Sequence, residues 1–257
     1  MADLLGDLAD LRRRARADRH AYPFPLLFFG IASFLSVPLY APAGPSPRLL
    51  PPSEHPLAVL GAHPGVRHPA PLGLYWLTVL VVGGLATVWW YRRRGARVGI
   101  ETSTRGYLAA LAIGLSGPAV ALVLGFAASL PAFGGAVSRF GTAVGLILLA
   151  AATVLWRRRA PRALTATAAA LGTAVLQYDQ GVVGQFIAIG LGLVVLAGVE
   201  RSVRFTTTTA AYLVALCLSA SITPLAVTPA TTWSMAAVVV LPGFVLVVGG
   251  LVGLRRG

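Results

Sequence analysis

Residues 72–97 read LGLYWLTVLVVGGLATVWWYRRRGAR. Twenty positions without a charge, 72 to 91, run into Arg92, Arg93, Arg94 and Arg97. At 1.5 Å of rise per residue, twenty residues of helix reach about 30 Å, the thickness of a bilayer's hydrocarbon core. Trp89, Trp90 and Tyr91 stand where the apolar run ends, and amphipathic rings belong at that interface. The stretch predicts a membrane span whose arginine end stops at the lipid surface.

The same pattern recurs along the chain. Apolar stretches bounded by charge, proline or aromatic residues fall at roughly 23–42, 72–91, 107–130, 137–156, 163–178, 181–199, 205–223 and 233–253. Of the 257 residues 56% are apolar and 11% charged, whereas a soluble domain carries about a quarter of its residues as charges. With a mean hydropathy of +0.78, the surplus apolar surface has to face lipid. The expected fold class is all-α: a polytopic transmembrane helical bundle of about eight spans, N-terminus and C-terminus cytoplasmic. The fifth stretch is short and rich in Ala and Thr, which predicts a helix packed inside the bundle.

Orientation follows from charge. With the N-terminus inside, arginines 12, 13, 14, 16, 19, 92, 93, 94, 97, 105, 157, 158, 159, 162, 201, 204, 255 and 256 face the cytoplasm. Only Arg48, Arg67 and Arg139 fall outside, the bias that basic loops near spans are known to impose. The formal net charge of +13 is therefore a membrane feature, and an anionic-lipid partner at the inner face is expected. No helix-turn-helix or aromatic stacking module accompanies the charge, so no nucleic acid is expected.

Three segments lie outside the bundle of 23–253 or project from it. Residues 1–22 form a leader with Leu4, Leu5, Leu8 and Leu11 on one helical face before its arginines. It suits an interfacial helix or a cytosolic protein partner. Residues 43–71 hold eight prolines and predict an extended outer loop, and 254–257 form a basic cytosolic tail. Ala41-Pro42-Ala43 has the small residues of a signal-cleavage site, but four aspartates in the leader and the central proline favour an uncleaved first span.

What is missing narrows the chemistry. Every basic residue other than histidine is arginine, which removes the lysine of phosphate-binding loops and of Schiff bases. One cysteine, Cys217, forms no intrachain disulfide or thiolate cage. No ionisable group sits in a span core, which disfavours proton coupling and voltage sensing. Gly114-Leu115-Ser116-Gly117 has the form of an intramembrane serine-protease motif, but all four histidines lie outside the spans, leaving no base for the serine. The chain is expected to be no enzyme and to need no cofactor.

Four groups of residues remain as candidates. His55, His63 and His68 with Glu54 lie in the outer loop, where they are candidate zinc or copper ligands, a pH sensor, or ordinary loop residues. Gln177, Tyr178, Asp179, Gln180 and Gln185 surround the turn between spans five and six, either as a plain hairpin or as a polar vestibule that binds a small solute. Gly117 and Pro118 in the third span, and Pro242 and Gly243 in the last, predict helix interruptions of the kind that line solute paths or merely kink. Thr206 to Thr209 predict hydroxyls that bond to helix carbonyls. Gly141 and Gly145, like Gly249 and Gly253, predict helix-contact faces, within the chain or in a homo-oligomer.

Arg16-Ala17-Asp18-Arg19, Phe24 to Gly30, Trp90 to Arg94 and Arg105-Gly106-Tyr107 together resemble uncharacterised multi-pass membrane proteins of actinobacteria. The resemblance covers about the first 110 residues. It implies a bacterial cytoplasmic membrane and brings no activity or site residue with it. The expected function is a non-catalytic sensing, regulatory or scaffold component, the alternative being a permease or permease subunit for a neutral or weakly polar solute.

Overall fold

The computed structural model describes residues 22–40, 69–98, 105–128, 131–158, 162–180, 184–200, 202–222 and 232–255. The leader up to residue 21, the outer loop from 41 to 68 and the tail residues 256 and 257 lie outside them. Among the described residues every regular element is a helix. α1 (Pro23–Ser36) runs into a 3-10 turn (Val37–Tyr40). α2 (Pro69–Val98), α3 (Arg105–Ala128), α4 (Pro131–Arg157), α5 (Arg162–Gln180), α6 (Gly184–Glu200), α7 (Val203–Ile222) and α8 (Thr232–Arg255) follow. In hydrocarbon a helix satisfies its own backbone groups, which is why uniformly apolar segments adopt it.

The boundaries differ from expectation in instructive ways. α2 begins at Pro69, inside the stretch expected as loop, because a first-turn N–H has no helical partner to lose. It continues to Val98, past the arginines, which are good helix formers. α5 extends to Gln180, so Tyr178, Asp179 and Gln180 close a helix where a hairpin turn was expected. α3 and α8 continue as helices through Gly117-Pro118 and Pro242-Gly243, with each proline inside its helix. All four residues are buried, and each proline withholds only one helical N–H.

Glycine governs the closest packing. α1 and α8 lie antiparallel: Gly30 meets Leu246 and Val247, Gly243 meets Ser33, Gly250 meets Leu27, and Gly253 meets Tyr22 and Pro23. α4 and α5 approach equally closely, since a Cβ added at Gly172 would stand 2.9 Å from the Gly145 carbonyl oxygen. The small-residue faces at Gly145, Gly249 and Gly253 are thus occupied within the chain, Gly249 by Thr208. α5 buries Ala169, Ala170, Thr173, Ala174 and Leu176 and leaves Leu164 and Leu171 exposed. The main apolar core, including Leu26, Trp76, Phe186, Phe205, Tyr212 and Leu246, lies among α1, α2, α6, α7 and α8.

The exterior is apolar too. Leu35, Val123, Ile147, Val203 and Phe244, on five different helices, are each more than half exposed. In water such a surface would drive association, whereas in lipid it carries no penalty. Three helical stretches, Pro23–Tyr40, Pro69–Ala96 and Val238–Arg255, are long and apolar enough to cross a membrane.

Ring contacts fix which helix ends lie together. Tyr22 stacks on Phe205 with centroids 5.3 Å apart, Phe24 stacks on Trp90 at 4.9 Å, and the Tyr91 hydroxyl meets Glu200. The starts of α1 and α7 therefore adjoin the ends of α2, α6 and α8, gathering Arg92, Arg93, Arg94, Arg204 and Arg255 at one end of the bundle.

Candidate functional site

At the opposite end, Tyr40 closes the turn after α1, Trp76 lies near the start of α2, and Gln185 is the second residue of α6. The Tyr40 hydroxyl accepts hydrogen bonds from Trp76 Nε1 at 2.9 Å and from Gln185 Nε2 at 2.7 Å. All three side chains are fully buried. Around them Trp76 sets its edge on Phe186 at 5.0 Å, Tyr75 donates to the Ala32 carbonyl at 2.6 Å, and Tyr212 donates to the Phe186 carbonyl at 2.8 Å. Gln185 Oε1 has no hydrogen-bond partner. The buried hydrogen bonds tie together the turn after α1 and the starts of α2 and α6.

Of the residues expected to form a polar vestibule, the structure places Gln185 in this sealed cluster. Gln177, Tyr178, Asp179 and Gln180 form the last turn of α5, and their side chains lie outside the described ones. Glu54, His55, His63 and His68 lie outside the described residues altogether. Among the described residues no three His, Cys, Asp or Glu side chains gather as a metal site would require. Three of the four threonine hydroxyls expected to bond backward do so: Thr206 to the Ser202 carbonyl, Thr207 and Thr208 to that of Arg204, while the buried Thr209 hydroxyl has no partner among the described residues.

The arginine end carries a second polar group of residues. The Tyr91 hydroxyl donates to Glu200 Oε1, while Glu200 Oε2 and Trp90 Nε1 are buried without hydrogen-bond partners. Glu200 stands one residue beyond the expected sixth span. Burial raises its carboxyl from the ordinary 4.5 to about 7, against the opposing pull of the Tyr91 hydrogen bond and the Arg94 charge. Arg93 lies over the Trp89 ring, 5.1 Å from its centroid.

Between these ends a partly open recess lies among α1, α2, α3 and α6. Phe29, Leu80, Leu111, Leu115, Ile189 and Leu193 contribute to its apolar wall. Among the described lining residues the one hydroxyl, Thr87, is turned to the Gly83 carbonyl of its own helix at 2.7 Å. Gly114 of α3 and Gly192 of α6 both line the recess: a Cβ at Gly114 would be in van der Waals contact with the Gly192 Cα at 3.9 Å, and one at Gly192 would meet nothing within 4 Å among the described residues.

Tyr40, Trp76, Glu200 and the recess were not anticipated. Glu200 had a local signal, being the lone acid that ends an apolar run; Tyr40 and Trp76 had none. Comparison with protein-family models, with curated proteins and with solved structures gives no match.

Proposed function

We propose that the chain is a non-catalytic component of a bacterial cytoplasmic membrane, crossing it eight times with both termini inside, and serving a sensing, regulatory or scaffold role through its arginine-bearing face. The observation that carries this reading is the gathering of Arg92, Arg93, Arg94, Arg204 and Arg255 at one end of a bundle whose sides are apolar. Exposed guanidinium groups at a lipid surface suit anionic headgroups and the acidic surface of a cytosolic protein. Transport of a neutral solute would need a polar path. Gln185 is sealed against Tyr40 and the recess is apolar, so neither lends transport support.

Two measurements test the reading. In a Cys217→Ser background, single cysteines introduced at Arg92 and Arg157 should both be labelled from the cytoplasm; labelling from opposite sides would overturn the orientation. Photocrosslinkers placed at Arg93 and Arg204 in native membrane should capture a recurrent cytosolic protein. Repeated capture of lipid alone would remove the regulatory role.

A further inference from the structure

We propose that the recess among α1, α2, α3 and α6 holds one hydrocarbon chain of an anionic phospholipid, with the headgroup at Arg92 and Arg93. The wall decides the ligand class. With Thr87 committed to its own helix, the described side chains of the recess offer no unclaimed polar group, so hydrocarbon is retained there and a polar solute is not.

Shape and position agree with a lipid chain entering from the bilayer. The lining runs from Leu80 to Val88 on α2 and from Ala188 to Leu196 on α6, which is about 12 Å along the helix axes at 1.5 Å per residue. Gly84, Leu111, Gly114, Leu115 and Gly192 are partly exposed although they lie mid-helix, so the mouth opens through the side of the bundle. At that depth the neighbour is hydrocarbon.

Charge selects the headgroup. Val88 at the recess's end is one helical turn from Arg92, and Arg92 and Arg93 are exposed. Trp90 stacks on Phe24, next to the lining residue Pro25. The same end also holds Arg94 and the acid Glu200, whose burial keeps a large share of it uncharged near neutral pH and so limits repulsion of an anion.

The inference rests on the membrane placement above but not on the regulatory role. The full chain, extracted in mild detergent, is titrated with phosphatidylglycerol or with phosphatidylcholine of the same chains, and bound lipid is counted by native mass spectrometry. The parent should retain one phosphatidylglycerol where phosphatidylcholine is lost. Gly192→Leu fills the recess and should weaken retention about tenfold, roughly what two lost methylene contacts amount to. Gly114→Val is the second filling variant, and a detergent melt accompanies each. Arg92→Gln with Arg93→Gln should bring phosphatidylglycerol down to the phosphatidylcholine level. Folded filling variants that hold lipid as the parent does, or equal retention of both lipids by the parent, would overturn the site. Recovery of the chain from the soluble fraction would overturn the membrane placement as well.

Discussion

Gly30 of α1 and Val247 of α8 pack so closely that a Cβ on Gly30 would lie 2.9 Å from the Val247 backbone nitrogen and 2.7 Å from its Cγ2. A backbone atom cannot move aside as a flexible side chain can. Gly30→Ala should therefore destabilise the bundle by about 1–3 kcal/mol, the usual cost of overpacking. Unfolding by denaturing detergent, followed by tryptophan fluorescence, measures it.

Gly192→Ala should do the opposite. Open space surrounds that position, so alanine brings its helix preference without a clash, a gain of about 0.5–1 kcal/mol in a helix interior. The same assay should show a raised midpoint, and a lowered one would mean that the recess is closed at Gly192.

Tyr40→Phe removes the acceptor shared by Trp76 and Gln185 and leaves two fully buried donors unpaired. At about 1–3 kcal/mol for each, the loss should come to roughly 2–5 kcal/mol. Gln185→Leu should cost less, because it removes the unpartnered Oε1 together with the donor and leaves the Trp76 bond intact. Comparison of the two midpoints checks the order.

Glu200 predicts a pH dependence of a defined sign. Its carboxyl titrates near 4.5 when unfolded and near 7 when folded, so between those values the folded state holds the extra proton. Stability contributed by this group is greatest at low pH and falls as pH rises from about 4.5 to 7. Glu200→Gln should show no such fall and should be more stable than the parent above pH 7, with little difference below pH 5. Melting temperatures at pH 5 and pH 8 decide it; a parent with the higher value at pH 8, relative to the variant, would contradict the assignment.

The positions of most helices were legible because apolar runs stopped by arginine, proline or aromatic residues mark them, the short Ala- and Thr-rich α5 being the weakest such run. Their ends were less so: the Arg92–Val98 extension of α2 depends on helix propensity outside the lipid, which hydropathy does not register. Gln185 stood out as polar in an apolar run, but its partner Tyr40 is 145 positions away. Only the fold brings them together. The recess was equally illegible, because the space beside Gly114 and Gly192 is a property of four helices at once.

The pairing of α1 with α8 also sets a timetable for biogenesis. During translation α1 is made before any other described helix and α8 after all of them, so the groove around Gly30 stays bare while the intervening helices are made. A nascent chain stalled ahead of Thr232 would hold its first helix by contacts with α2, α6 and α7, such as the Tyr75–Ala32 and Gln185–Tyr40 bonds and the Phe24–Trp90 and Tyr22–Phe205 stacks. Such a chain would display to quality-control proteases a seam that the finished protein hides.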